Sequence, residues 1–216
     1  MDFSVIDLEL VLTLLLLLLI GMGPKIALVP FLEKTKGFAP EEQRAIGRRM
    51  VTTAVVAAIV VFVTGALLLR LLHITPGAVA VAGGIILALL AVRMALGPGD
   101  EVVKEVEAPA DLHRVAVYPL AVPYLFNPVG ITILIIASES AGSVAASALV
   151  VGLVLLVGAL DFLIFSNIDK VAKRINPTSL VVSEIVFGVL LTAVAVQLFV
   201  FGLQLLGILE RAAPVH

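Results

Sequence analysis

The chain has 216 residues, of which 61% are hydrophobic and 14% charged, with a net charge of −2 and a mean hydropathy of +1.20. A soluble domain is about half apolar and about a quarter charged. Stretches such as 51–69 carry no polar stripe at helical spacing, so a water-soluble helical bundle is excluded. Cysteine is absent, which excludes disulfides, thiolate metal sites and thiol redox chemistry.

The N-terminus, Met1-Asp2-Phe3-Ser4-Val5-Ile6-Asp7-Leu8-Glu9, is acidic where the first region of a cleavable signal would be basic. The first apolar stretch is therefore expected to be a membrane span. A transmembrane helix needs about 20 mostly apolar residues. Six stretches meet this reading, at 8–32, 49–70, 76–96, 115–137, 144–165 and 179–209. The predicted fold class is an all-α integral membrane protein of six transmembrane helices. Between the third and fourth spans stands an acidic segment with Asp100, Glu101, Glu105, Glu107 and Asp111, and prolines at 98 and 109. It reads as a solvated linker. The chain thus divides into a first three-helix unit (1–96), a linker (97–114) and a second three-helix unit (115–216).

The first and fourth spans are interrupted. The first contains Gly23-Pro24-Lys25 and then Pro30. The fourth contains Pro119, Pro123 and the tetrad Asn127-Pro128-Val129-Gly130. Proline inside a helix removes an N–H and displaces a carbonyl from its bond. In hydrocarbon those freed groups must be satisfied by protein or by a water-filled cavity. Interrupted spans at corresponding places in two halves point to a transporter's binding site. Because each half has an odd number of spans, a repeat of one half in the other is inverted in the membrane. Gly83-Gly84 of the third span corresponds to Gly188 of the sixth, and packing is the default reading of these glycines.

Basic residues set orientation. Lys34, Lys36, Arg44, Arg48 and Arg49 follow the first span. Arg93, Lys104 and Arg114 surround the loop after the third, and Lys170, Lys173 and Arg174 follow the fifth. The opposite side has Arg70 and Arg211, while Lys25 stands inside a span. The bias places those three loops in the cytoplasm and both termini outside the cell membrane.

Two half-helix ends suit a small zwitterion. The N-terminal end of a half-helix offers free N–H groups and partial positive charge to a carboxylate, and released carbonyls accept from an ammonium. The candidate substrate-binding residues are Gly23, Pro24, Lys25, Asn127, Pro128, Gly130 and Thr132. The glycines allow close approach to the backbone, and Asn127 and Thr132 add neutral polar groups. Lys25 is a charge inside a span and needs an anion. Glu184 and Asp161 are the candidate partners, with Glu184 favoured, and such a pair is a candidate for proton coupling. A static clamp is the competing role, and Asp161 reads equally as an interfacial residue.

Several ordered segments together resemble the MarC/SnatA family of six-span membrane proteins. They are Pro30 to Phe38, Pro40 to Arg44, Ile46 to Arg49, Val79 to Leu87, Val117 to Pro123, Gly188 to Leu191 and Ala193 to Gln197. The resemblance implies two inverted three-helix repeats, termini outside, and transport of small neutral amino acids, glycine and alanine in particular. Members usually carry an Asn- or Asp-Pro-x-Gly motif in the first span. Here it reads Gly23-Pro24-Lys25-Ile26, and the Asn-Pro-x-Gly pattern stands in the fourth span instead.

The expected function is a secondary transporter of small neutral amino acids coupled to protons. The alternatives are a carrier of another small polar solute and a scaffold without cargo. The expected partners are the amino acid, the proton and the lipid bilayer, with no nucleic acid and the oligomeric state open. No cofactor, metal or catalytic residue is expected. There is no phosphate-binding loop, and His73, His113 and His216 lie outside the spans, leaving no base for a serine nucleophile.

Overall fold

The computed structural model describes residues 7–96, 112–172 and 177–210, and for residues 93, 94, 112, 113, 172 and 177–184 the backbone alone. The expected linker at 97–114 lies almost entirely outside the described residues.

Everything described is helical or turn. Helix α1 (Leu8–Met22) starts at Asp7, whose carboxylate accepts from Leu10 N at 2.8 Å. This side-chain cap satisfies one of the donors that a helix start leaves free. Gly23 interrupts it with an extended backbone (φ −84°, ψ 164°), and α2 (Pro24–Thr35) begins with Pro24 in its first turn, where a missing N–H costs nothing. Helix α3 (Pro40–Leu72) also opens on a proline, and Glu42 reaches back to accept from Ala39 N at 2.9 Å. The helix therefore starts nine residues before the span expected at 49–70. Its charged first turns extend beyond the apolar stretch that the sequence marks out.

Helix α4 (Pro76–Leu96) follows. Then α5 (Leu112–Val115) runs into a widely wound stretch, Ala116–Leu125, in which Tyr118 and Val122 are extended. Each of these two residues precedes a proline, whose ring disfavours the helical conformation for its neighbour. Helix α6 (Pro128–Ser140) starts after Asn127. Helix α7 (Val144–Ser166) is capped by Ser143, and α8 (Ile168–Ala172) and α9 (Pro177–Leu205) complete the order.

Four helical segments are long and apolar enough to cross a membrane. They are Leu8–Thr35, Pro40–Leu72, Val144–Ser166 and Ile185–Leu205. The bent pair Ala116–Leu125 and Pro128–Ser140 makes a fifth if it is one span, and Pro76–Val92 is a shorter apolar helix. Of the six spans expected, four or five at full length are therefore shown among the described residues.

The two interruptions differ. The first leaves Leu8–Thr35 as one span of 28 residues, whereas the second turns the chain by 70°. At the first only Gly23 leaves the helical conformation, and its N–H still donates to Leu19 O at 3.0 Å. At the second, the extended pair Phe126–Asn127 separates the arms, and Tyr118 and Val122 are extended within the first arm.

The packing has a reciprocal pattern. The shift along the sequence that carries Pro24 onto Pro128 also carries Pro40 onto Val144, Gly84 onto Gly188 and Ala91 onto Ala195. A Cβ on Gly84 would lie 2.9 Å from Ala195 O, and a Cβ on Gly188 would lie 2.9 Å from Ala91 O. Helices α4 and α9 are antiparallel, since Gly77 meets Gly202 while Gly188 meets Ala91. Small residues are what permit backbones to approach this closely in a membrane, where apolar lipid removes the drive to bury apolar surface. Helices α3 and α7 are likewise antiparallel, with Gly47 against Phe165 and Gly158 against Val55. The larger core cluster joins α1, α2, α3, the Ala116–Leu125 stretch, α6 and α7. A smaller one joins Ile26, Leu87, Ala91, Val129, Ile133, Leu191 and Ala195.

Candidate functional site: the crossing of the two broken helices

The two interruptions meet. Asn127 sits between the arms of the second broken helix and is fully buried. Its Oδ1 accepts from Val129 N at 2.8 Å and from Gly130 N at 3.4 Å. These bonds satisfy donors of the first turn of α6. Its Nδ2 donates to Ile20 O at 2.7 Å, and its backbone N–H donates to Gly21 O at 2.9 Å. Ile20 and Gly21 are the last residues but one or two of α1, so one side chain caps one broken helix and ties down the carbonyls of the other. Backbone groups buried away from water are expected to be paired in this way.

Glycines make the approach possible. A Cβ on Gly130 would stand 2.5 Å from Gly21 O, and one on Gly21 would stand 2.5 Å from Gly130 N. No side chain fits there. Gly21 was not among the residues that the sequence singled out. It precedes the Gly-Pro pair by two positions, and only its proximity to Gly130 gives it a role.

The first broken helix is left less complete. Gly23 has no side chain with which to cap α2, and Pro24 has no N–H. The N–H groups of Lys25 and Ile26 in that first turn therefore have no side-chain cap, and the positive end of the helix dipole points to the same interruption. Pro128, like Pro24, occupies the first turn of its half-helix. Thr132 lies one turn beyond Asn127, is buried, and packs its hydroxyl side against Gly83 of α4. Gly83 thus makes room for a residue of the candidate site.

Of the ionisable residues that the sequence grouped, Lys25 and Asp161 do not pair. Lys25 is exposed, and its Nζ lies 4.3 Å from the centroid of the Phe187 ring of α9. A ring face attracts a cation electrostatically, so Lys25 has an aromatic partner. Asp161 is fully buried on α7, and neither carboxylate oxygen has a hydrogen-bond partner among the described residues. The less favoured of the two candidate pairs, Lys25 with Asp161, is therefore not made. The side chain of Glu184 lies outside the described residues. Two other ion pairs occur among the described residues, Arg44 with Asp169 and Arg70 with Glu139 at 3.5 Å. They join α3 to α8 and to the end of α6.

Two open clefts lie elsewhere. One of about 490 Å³ runs between α3, α6 and α7 beside Phe62, Ser138 and Ser147, and another of about 540 Å³ lies along α3 beside Arg49 and Val60. Asn127 lines neither of them. The crossing itself is packed shut by Gly21 and Gly130.

Residues 8–206 match the MarC family integral membrane proteins. The chain is 28% identical over 185 residues to UPF0056 membrane protein MJ1677 of Methanocaldococcus jannaschii, covering 85% of this chain and 90% of that one. It is 28% identical over 184 residues to UPF0056 membrane protein YvbG of Bacillus subtilis, covering 81% of this chain and 84% of that one. No solved structure matches. A match across almost the whole chain, through both broken helices, establishes that the chain belongs to the MarC family of integral membrane proteins.

Proposed function

We propose that the protein is a secondary transporter of small neutral amino acids, glycine and alanine, coupled to protons, and that its substrate site is the crossing of the two broken helices. One observation carries this reading: the two interruptions come together, with Asn127 holding the carbonyls of one and the amides of the other. Irregular backbone at membrane depth, packed on a matching irregularity from the other half, is the arrangement from which transporter sites are built.

The chemistry suits a zwitterion. The uncapped first turn of α2 offers N–H groups to a carboxylate. The carbonyl of Ile20, now taken by the Asn127 amide, is an acceptor for an ammonium, so substrate and Asn127 compete for it. The glycine contact leaves space for at most a small side chain once the arms part. In the conformation described the site is closed, and loading requires the α1–α6 contact to loosen.

The reciprocal contacts of Gly84 with Ala195 and Gly188 with Ala91 support two halves related by inversion in the membrane, six spans in all. The basic loops support a cytoplasmic placement for residues 34–49 and 170–174, with both termini outside. In that arrangement rocking one half against the other exposes the crossing to alternate sides.

Uptake of labelled glycine and alanine into proteoliposomes, with and without a pH gradient, tests the proposal. Saturable uptake that the gradient increases supports it. Flux equal to that of protein-free vesicles for both amino acids overturns it.

A further inference from the structure

Asp161 is the one ionisable side chain on the buried face of α7. That face runs Ala146, Val150, Leu153, Val154, Val157, Gly158, Asp161 and Phe165, which is the three-and-four spacing of a single helical stripe. Gly158, one turn before Asp161, packs on Val55, and Phe165, one turn after it, packs on Gly47 of α3. Phe165 also meets Phe31 of α2, ring centroids 5.1 Å apart. The carboxyl is fully buried and makes no hydrogen bond.

A group in that position lowers stability, because water is lost and nothing replaces it. A carboxylate anion there would be far worse off than a carboxylic acid, which carries no net charge. A metal cation would need several oxygen ligands, and the neighbours along the stripe are valines, a glycine and a phenylalanine. A proton needs no ligand beyond the carboxyl itself.

None of the described charged groups on the surrounding elements pairs with it. Helix α1 carries none between Leu10 and Met22. On α3, Arg44 pairs with Asp169 of α8, and Arg48 lies 5.8 Å from the exposed ring of Phe162. Arg49 is exposed, as are Glu33 and Lys34 at the end of α2 and Lys170 of α8.

We propose that Asp161 is the proton carrier of the transport cycle. The carboxyl holds its proton while α7 is packed on α3, as here. When that interface opens to water on one side, the O–H bond breaks and the proton passes to water, leaving a hydrated carboxylate. The interface closes again only after a proton from the other side restores the acid. Because Phe165 links this stripe to Phe31 of α2, the protonation state is felt by the arm that follows the Gly23–Pro24 interruption. The assignment rests on the transporter reading for its role in a cycle, and on the burial alone for the protonated acid.

Two measurements test it. The first is the infrared spectrum of the protein in lipid near neutral pH. Wild type should show a carboxylic-acid C=O band that Asp161→Asn lacks and Asp161→Glu retains at a shifted frequency. Identical spectra for wild type and Asp161→Asn would mean that the carboxyl is already ionised, which overturns the assignment. The second is glycine transport in proteoliposomes. Asp161→Asn should still exchange internal for external glycine while losing the accumulation driven by a pH gradient. Gradient-driven accumulation equal to wild type overturns the assignment. If wild type moves neither glycine nor alanine, the substrate reading fails, and the infrared band decides the protonated acid by itself.

Discussion

Gly21 and Gly130 meet backbone to backbone, one from each broken helix, so closely that a Cβ on Gly130 would stand 2.5 Å from the Gly21 carbonyl oxygen. That contact sets the depth at which the two interruptions cross. It also brings Asn127 within reach of Ile20.

Gly130→Ala should therefore force the arms apart. Overpacking a tight contact costs about 1–3 kcal/mol, and here the obstacle is backbone, which cannot rotate away. Thermal unfolding of the purified protein in detergent should show a clear drop in melting temperature. An unchanged melting temperature would mean that the crossing is looser than described.

Asn127→Ala should destabilise as well, because it leaves Ile20 O, Val129 N and Gly130 N without their side-chain partner. Leaving buried backbone groups unpaired costs about 1–3 kcal/mol. A residue serving only to touch substrate would leave the unliganded protein's stability unaltered. The melting temperature without added amino acid separates the two roles.

Lys25→Met should change stability little. The lysine is exposed and faces Phe187, and such a contact is worth about 0.5–1 kcal/mol at an exposed site. Since Lys25 and Asp161 do not pair, the effects of Lys25→Met and Asp161→Asn should add to within about 0.5 kcal/mol in a double-mutant cycle. A coupling energy well above that would restore the ion pair that the structure lacks.

Gly84→Val and Gly188→Val test the reciprocal packing. Each places a branched side chain against a carbonyl of the antiparallel partner, Ala195 O in one case and Ala91 O in the other. Both should lower the melting temperature, each by about 1–3 kcal/mol in stability, with Gly188→Val the more costly because a Cβ there would also lie 2.4 Å from Ala95 N, where one on Gly84 lies 2.9 Å from Phe199 N. A large effect at one glycine and none at the other would show that the two contacts are not equivalent.

The elements of this fold were largely legible in the sequence because proline and apolar length are local signals. Pro24 and Pro128 announce the two half-helices, and the limits of α7 fall within one residue of those read from the apolar run. What faced what was not legible. Helix α7 is apolar all round, so no polar side marks its outer face, and nothing local shows that Asp161 lies on the buried stripe. The sequence likewise does not reveal that Phe187 of a distant helix stands over Lys25. Asn127 was readable as a candidate by its place before Pro128, but its hold on Ile20 and Gly21 depends on a contact between halves more than a hundred residues apart. The bend of the second broken helix falls at Phe126 and Asn127, both extended, and Pro128, whose ring disfavours a helical Asn127, marks it in the sequence.

The most direct measurement of the central claim, that the crossing binds a small amino acid, is the melting temperature of the purified protein against glycine concentration. A ligand that binds only the folded state stabilises it by about 2.7 kcal/mol at a hundred times its dissociation constant. Glycine and alanine should raise the melting temperature saturably, while glycinamide, which lacks the carboxylate that the α2 N-terminus would hold, should not. A melting temperature that neither glycine nor alanine moves at saturating concentration would contradict the account.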